Sequence, residues 1–388
     1  MTELIVFAED WGRHPSSSQH IINTLQSQFA VQWVNSIGLR QPSFNQRDLL
    51  RVAEKMQQRF RGDARQKATR DPVAPFPVIR PAVWPLAENA ILKWCNTTSL
   101  KQQLPPKTGT RIVWAALPSA VDYLDMLEAE LVIYYVGDDF SGLAGVDHQR
   151  VAQLEKKMVA RADIILCASP ALAMRFPNHK THLVSHGVDF SLFATPQANP
   201  YPASSSRHKI GFYGSLNHWL DQTLLYQLAT QRPEVDFYLI GRHDCDISLI
   251  EPCPNVHFKP AVPHHQLARY VQHWDAAILP FVDNEQIRAC NPLKLREYLA
   301  AGCPVISSDF PAAHQYPCHV SIAKSVAEWC EAIDAFCQLN NQHRLQYKKT
   351  AQMQMRTESW ERRGQQVLSL INKALNVNQT ALPNFCTN

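Results

Sequence analysis

The stretch that decides the fold is 279–307, which reads LPFVDNEQIRACNPLKLREYLAAGCPVIS. An apolar strand ends at Leu279-Pro280. After a polar loop, Asn291-Pro292 begins a helix, because Asn is a favoured N-cap and Pro a favoured first helical residue. The helix ends at Gly302, and Pro304 begins the next strand. This order of strand, loop, helix and strand predicts a parallel α/β unit.

The first turn of this helix has the composition of an anion site. A helix that begins beyond the carboxyl end of a strand points free N–H groups and its dipole at a ligand. Asn291 lies at the start of this helix. Lys294 would add a full charge against a diphosphate. The dipole disfavours a lysine at this position, which favours an anionic partner over a plain surface lysine. Glu297 lies three residues later on the same face, where a carboxylate can accept bonds from ribose hydroxyls. Arg288 either reaches a phosphate or is solvated.

Working outward, two series of short apolar runs alternate with amphipathic stretches, which predicts parallel strands with crossover helices. In the first series the predicted strands are 4–8, 31–34, 111–115, 131–136 and 163–168, and the helices are 18–29 and 146–160. In the second series the strands are 209–213, 235–240, 276–280 and 304–307, and the helices are 217–231, 264–272 and 291–301.

The stretch between the two series, 196–207 (PQANPYPASSSR), is rich in Pro, Ser and Asn and is typical of a linker. We therefore predict a first domain at 1–195, a linker at 196–207 and a second domain at 208–357. The remaining segment, 358–388, is predicted to hold a C-terminal helix and a tail. A chain of 388 residues is long enough for these two cores.

Composition excludes several classes of protein. With 45% hydrophobic and 19% charged residues the chain is not disordered, and a net charge of +4 is too small to indicate a nucleic-acid binder.

Ten cysteines without a C-x-x-C pair indicate reduced thiols and a cytoplasmic protein. Histidines 243 and 257 with cysteines 245 and 253 do not have the spacing of a zinc site. We see no signal peptide and no apolar run long enough to span a membrane.

One segment leaves membrane contact open. Between residues 47 and 70 there are eight basic and three acidic residues, and Trp84 and Trp94 follow. A basic helix beside exposed aromatics could lie on anionic lipid as a peripheral membrane contact at the inner face of the plasma membrane. The alternative is a solvated helix face beside a packed loop.

The 279–307 segment resembles the nucleotide-sugar signature of GT-B glycosyltransferases of the group 1 type. Further segments resemble the same family in the same order, and together they cover nearly all of 181–375. They are SHGVD at 185–189 with Phe193, IGFYGS at 210–215, FYLIG at 237–241, the run 262–280 before the signature, and SWE at 359–361.

The N-terminal half is similar to a narrower group, the bacterial transferases that build surface polysaccharides such as teichuronic acid. The similarity lies in DWGRHPSSSQH at 10–20 and YYVGDDF at 134–140. It implies an α/β protein of GT-B type, with two Rossmann-like domains facing across a cleft and a C-terminal helix crossing back to the first. The implied activity is sugar transfer from a nucleotide-diphosphate sugar to a glycan or lipid-linked acceptor. Apart from that co-substrate we expect no cofactor and no metal.

The resemblance also extends the set of candidate site residues. On the donor side it adds Gly214, Ser215, Gly241 and Arg242. On the acceptor side, an inverting reaction needs a group that removes the proton of the acceptor hydroxyl, and Asp138 is preferred over Asp139, although either could instead cap a helix. His14, Ser16, Ser17 and His20 follow the first strand, where helix capping by the serines and a core position for His20 are the alternatives.

Two departures from the family keep other functions open. Many retaining members carry a second glutamate eight residues before the position of Glu297, but this chain has Ala289, so retention is not implied. The family's Arg and Lys after Gly214 are also missing. Asp244-Cys245-Asp246 has the letters of a metal-binding triplet, but we place it in a surface turn. A nucleotide-sugar epimerase of the same fold and a non-catalytic binding partner in polysaccharide assembly remain alternatives.

Overall fold

The structure, a computed structural model, describes residues 2–12, 16–37, 74–81, 83, 89–140, 147–202 and 206–380. At 289 and 377–380 it describes the backbone alone. The chain divides into two compact units. The first comprises Met1–Ser185 and Gly364–Asn388, and the second comprises His186–Arg363.

The first unit is built on a seven-stranded parallel sheet in the order β3-β2-β1-β4-β5-β6-β7. Its strands are β1 Glu3–Phe7, β2 Ala30–Val34, β3 Val78–Ile79, β4 Arg111–Ala115, β5 Leu131–Val136, β6 Ile164–Cys167 and β7 Thr181–Leu183. Its helices are α1 Ser17–Leu25, α2 Ala90–Gln103, a 3-10 helix Pro118–Leu127, α3 His148–Arg161 and α4 Pro170–Ala173. Every residue of β1, β4, β5 and β6 is buried, which explains why these strands are almost entirely apolar. The exceptions, Glu3 and Arg111, form an ion pair at 2.7 Å.

The second unit contains a six-stranded parallel sheet in the order β10-β9-β8-β11-β12-β13. Its strands are β8 His208–Tyr213, β9 Val235–Ile240, β10 Val256–Lys259, β11 Ala276–Leu279, β12 Val305–Ser307 and β13 Val320–Ile322. Its α-helices are α5 Phe190–Ala194, α6 Gln222–Gln231, α7 Ala268–Val271, α8 Glu285–Ala289, α9 Leu293–Ala301, α10 Val326–Cys337 and α11 Asn341–Thr357. Two 3-10 helices lie at His264–Gln266 and Ala313–Gln315.

In each sheet the strand order reverses at one point, between β1 and β4 in the first unit and between β8 and β11 in the second. Open parallel sheets bind ligands beyond the carboxyl ends of the strands at such a switch point. The predicted architecture of two Rossmann-like α/β domains is confirmed, and the predicted strands differ from the observed ones by one residue at most at each end.

The boundary between the units differs from our prediction, which placed a linker at 196–207. Tyr201 is buried in the core of the second unit, where its hydroxyl accepts a hydrogen bond from Trp274 Nε1 at 2.6 Å. Arg207 donates to Asp236 at 2.7 Å. The Pro and Ser content suggested a flexible connection, but buried aromatic packing makes this stretch part of the second unit.

Helix α12, Trp360–Thr380, is shared by the two units. Trp360 N–H donates to the Val188 carbonyl at 3.2 Å within the second unit. Further along, Gln366 donates to the Leu183 carbonyl at 2.9 Å within the first unit. A side chain at Gly364 would collide with Thr24 on α1, so a residue without a Cβ allows the helix to pack closely there.

No helix in the described part of the chain has both the length and the apolar character that crossing a membrane requires. The basic segment 47–70 and Trp84 lie outside the described residues. Trp94 is described on α2, where it and Ile91 are each 68% exposed. These two apolar side chains lie three residues apart and therefore share one face of the helix.

Candidate functional site

Two glycines shape the loop that follows β8 at the switch point of the second sheet. Gly214 has a φ of +134°, a backbone conformation that side chains rarely adopt. A Cβ at Gly241, just after β9, would lie 1.8 Å from the Gly214 carbonyl oxygen. The β8 loop therefore packs directly on the end of β9. This close approach explains why both positions are glycine.

Lys294, in the first turn of α9, lies against this loop. A Cβ at Gly214 would be 2.4 Å from the Lys294 Nζ atom, which lies 4.4 Å from the ring centre of Phe212 and 5.7 Å from that of Phe281. Among the described residues, no carboxylate and no hydrogen-bond acceptor pairs with this ammonium group. Burial lowers its pKa from 10.5 to about 8. Lys294 forms no salt bridge with any described residue, although the charge of Glu297 favours its protonated form. A buried cation beside a glycine loop suits an anionic ligand.

Glu297 lies on the next turn of α9 and is 8% exposed. Its Oε1 atom is 2.6 Å from His264 Nε2, and the Tyr213 hydroxyl donates a hydrogen bond to Oε2. Burial opposes the charge on His264, but the hydrogen bond and the charge of Glu297 outweigh it and raise the pKa of the imidazole. The carboxylate is therefore fixed on both oxygens.

The structure brings together four of the predicted donor-side residues, Gly214, Gly241, Lys294 and Glu297. Ser215, which follows Gly214, is half-buried. The chain then turns so that Leu216 N–H donates to the Arg242 carbonyl at 2.8 Å. The Arg242 side chain is exposed and lies 3.8 Å from Asp244. It therefore contributes its backbone, rather than its charge, to this loop.

Arg288 and Asn291 make other contacts. Arg288 forms a two-pronged ion pair with Asp283, both bonds at 2.7 Å. Asn291 does not cap the helix as we predicted. It accepts a hydrogen bond from the buried Arg296 at 2.7 Å, and the helix begins at Leu293 with Pro292 in the N-cap position. Arg296, which lies on α9, thus takes the side-chain oxygen that would otherwise be available for capping the helix.

A cavity of about 630 Å³ lies at the carboxyl ends of β11, β12 and β13. Phe281 lines it, and the ring of this residue also contacts the Lys294 ammonium. Arg288, Asp309 and Lys324 line the cavity as well. Arg288 therefore faces this space beside the Lys294 site.

On the first unit, the loop after β1 is tied to α1. Ser16 is the N-cap of α1, accepting from Gln19 N–H at 3.2 Å, and its hydroxyl donates to Glu9. Ser17 is buried, and His20 is half-buried inside α1. His14 lies outside the described residues. Glu9, which sequence reasoning missed, has a pKa raised by burial and by the nearby charge of Asp138.

Asp138 and Asp139 follow β5 and have different surroundings. Asp139 forms an ion pair with Arg175 at 2.5 Å, and Arg175 also lies 3.5 Å from Glu155. Asp138 is an exposed residue, and the protein atoms around its carboxyl group raise its pKa by desolvation. Asp138 is thus the more exposed member of the pair, and its basicity is increased.

Two groups of residues have the side-chain types of metal ligands. Asp244 and Asp246 are exposed in the turn after β9, where Asp246 accepts from Ser248 N–H at 3.0 Å. Within the described part of the chain, one group of His, Cys and Asp, at 208, 337 and 275, has ligand atoms within 4.8 Å of one another. Its aspartate already accepts from Arg344 at 2.7 Å.

Residues 207–338 match the family model described as glycosyl transferases group 1. This match lies within the second unit. A Bacillus subtilis protein assigned to teichuronic acid biosynthesis, the glycosyltransferase TuaH, is 30% identical over 175 residues, which are 42% of this chain. The chain spans 44% of the length of that relative.

Solved structures align with most of this chain. A glycosyltransferase from Rickettsia africae aligns with a TM-score of 0.66 at 12% identity, covering 96% of this chain and 98% of that one. The Anabaena protein HepE, solved with UDP and glucose, aligns with a TM-score of 0.65 at 11% identity, covering 95% and 99%. The chain therefore has the GT-B fold.

Replacing Lys294 with Met should stabilise the protein at neutral pH. The folded state holds this lysine with a pKa of about 8, below its ordinary 10.5, so the unfolded chain binds the proton more tightly. After allowing for the lost contact with Phe212, we expect the free energy of unfolding to rise by about 2 kcal/mol at pH 7. The gain should shrink as the pH rises from 8 to 10.5. Urea unfolding across this range measures it.

The control is Lys349→Met, which alters an exposed lysine on α11 and should leave stability within about 0.5 kcal/mol of the wild type. A Lys294→Met protein that is less stable than wild type at pH 7 would contradict the buried, unpaired ammonium group.

Proposed function

We propose that the protein is a glycosyltransferase that moves a sugar from a nucleotide-diphosphate sugar to a glycan or lipid-linked acceptor in cell-surface polysaccharide synthesis. One observation carries the proposal. The unpaired ammonium of Lys294 lies beside the Gly214 loop, and Glu297 lies one turn away on the same helix. An anion site with a carboxylate at this distance fits a nucleotide, whose diphosphate and ribose need opposite partners.

The donor is a uridine-diphosphate sugar in this proposal. Support comes from HepE, which has been solved with UDP and with UDP-glucose. Lys294 and the N–H groups at the start of α9 bind the diphosphate and stabilise its charge as it leaves, without a metal ion. Glu297 accepts hydrogen bonds from the ribose hydroxyls. Glu297 can do so while bonded to Tyr213 and His264, because two carboxylate oxygens offer about four acceptor positions.

Asp138 is the proposed general base. It would take the proton of the acceptor hydroxyl while that oxygen attacks the anomeric carbon and the nucleoside diphosphate leaves with the electron pair of the broken bond. The ion pair of Asp139 with Arg175 makes Asp139 the weaker candidate. The assignment of TuaH to teichuronic acid synthesis supports a polymer or lipid-linked acceptor.

The donor role is tested by titrating UDP and UDP-sugars and measuring binding by calorimetry. We expect wild-type protein to bind and Lys294→Ala to lose affinity about tenfold or more, as expected when a charged partner is removed from an anion. Wild-type affinity should also fall as the pH rises above about 8, because Lys294 then loses its proton. Lys349→Ala serves as the matched control. Equal affinities for wild type and Lys294→Ala would refute the phosphate role.

The base is tested with Asp138→Asn, assayed as UDP release over a panel of glycan and lipid-linked acceptors. We expect turnover to fall about 100-fold or more with donor affinity unchanged, since general base catalysis contributes about that much. EDTA should leave wild-type turnover unchanged. Asp139→Asn is the comparison variant and should lose stability rather than turnover. Full activity of Asp138→Asn would remove it as the base.

The same assays separate the alternative functions. Sugar interconversion without an acceptor would indicate an epimerase, and binding without turnover would indicate a non-catalytic partner.

We further propose that the protein is cytoplasmic and binds the inner face of the plasma membrane through its first unit. Ile91 and Trp94 on α2 form an exposed apolar pair, and the sequence at 47–70 has an excess of five basic residues, eight against three acidic. Apolar side chains that enter the headgroup region and cations that meet anionic lipid are the two attractions that peripheral binding combines.

Co-sedimentation with vesicles tests this contact. We expect binding to phosphatidylcholine vesicles that contain phosphatidylglycerol, and an approximately tenfold loss of binding when Ile91 and Trp94 are both changed to Ser, because two buried apolar side chains are lost. Met174→Ser is the control, since Met174 is 80% exposed on the same unit. Binding that is equal for all three proteins, or absent for the wild type, would contradict the proposal.

A further inference from the structure

His264 lies in the 262–280 run, from which no residue was predicted to be part of the donor site, yet its side chain contacts Glu297 directly. Its Nε2 atom is 2.6 Å from Glu297 Oε1, and the two side chains are 26% and 11% exposed. The two residues are 33 positions apart in the chain. His264 begins the 3-10 helix that precedes α7, so a separate element reaches across to α9.

Other groups hold the imidazole in this place. Phe193 on α5 packs edge-on against it, with ring centres 5.5 Å apart. Asp189, which caps α5, adds a negative charge that favours the protonated ring. Both residues come from the 185–193 segment, whose resemblance to the family had no assigned role in the donor site. That segment therefore supports a histidine that in turn contacts the predicted ribose-binding carboxylate.

The second oxygen of Glu297 is held independently. The Tyr213 hydroxyl donates to Oε2, and Tyr213 N–H in turn donates to the Tyr298 hydroxyl at 3.1 Å. With Tyr213 on one oxygen and His264 on the other, the carboxylate plane is fixed by two partners. Loss of either contact would leave the carboxylate with one anchor in place of two.

We propose that His264 is a positioning residue that fixes the carboxylate of Glu297 in the orientation that receives the nucleotide ribose. This inference rests on the proposed function, because it assumes that the ligand beside Lys294 is a nucleotide. A carboxylate fixed before the ligand arrives loses little freedom on binding, so the histidine acts on donor affinity and not on the chemical step.

The charged groups that face His264 are Glu297 from α9 and Asp189 from the start of α5, and Lys294 lies beyond Glu297. Burial on its own would lower the pKa of His264, so the raised pKa depends on these two carboxylates. Glu297→Gln should therefore move the imidazole titration to lower pH. Histidine ring NMR in the donor-free protein measures this shift and thereby tests the contact between the two side chains.

Donor kinetics provide the second measurement. With UDP-sugar as the varied substrate, we expect His264→Ala to raise the donor KM about tenfold or more, with kcat at saturation within about twofold of wild type. His264→Gln keeps an N–H donor and should recover part of the loss. His265→Ala is the matched control, because His265 is the exposed neighbour in the same 3-10 helix. Thermal unfolding of each variant shows whether it is folded.

The outcomes separate this inference from the proposed function. Unchanged donor KM in a folded His264→Ala protein, or an equal loss in His265→Ala, overturns the positioning role while the transferase remains. A fall in kcat without a change in KM also overturns it. A wild-type protein that binds no nucleotide overturns the proposed function and this inference together. An imidazole titration that does not respond to Glu297→Gln overturns the coupling itself.

Discussion

The packing of the Lys294 ammonium into the space beside Gly214 is the contact on which the candidate site of the second unit depends. It requires a glycine at 214, a second glycine at 241 whose missing Cβ admits the Gly214 carbonyl, and a helix that begins within reach of both. The ammonium lies on the faces of Phe212 and Phe281 without a salt bridge to any of the described residues. This arrangement retains a desolvated charge that a bound anion would neutralise. The free energy that burying this charge costs the ligand-free protein is typical of binding sites.

Local spacing made part of this site predictable from the sequence. Lys294 and Glu297 share one face because they are three residues apart on one helix, and Gly214 and Gly241 follow two strands that pair in the sheet. Partners distant in sequence were not predictable, because nothing local indicates them. His264 and Tyr213 are 33 and 84 residues from Glu297, and only the folded sheet brings them to its two oxygens.

Competition between partners explains where the sequence analysis differed from the structure. An arginine before an anion-binding helix is a reasonable phosphate ligand, yet Arg288 has an aspartate five residues earlier and pairs with it on both nitrogens. Asn291 has the character of an N-cap but meets Arg296, a fully buried cation that needs acceptors. In the first unit the same effect separates Asp138 from Asp139, because only the latter is paired with Arg175. The chemistry of a side chain identifies a candidate ligand, but the charged residues beside it in the fold determine whether it is already paired.

The route of the chain through the two units has a consequence for its synthesis. Residues 186–363 form the second unit as one continuous stretch, whereas the first unit also includes residues from 364 onward, among them the fully buried Val367 and Ile371. Domains generally fold as units while the ribosome is still working. The second unit can therefore finish on the ribosome, while the first must wait for the last helix to emerge. Expression of residues 1–185 alone would deprive the first unit of the buried side chains of Val367 and Ile371, so a chain cut there should be recognised by chaperones and not accumulate as a free domain.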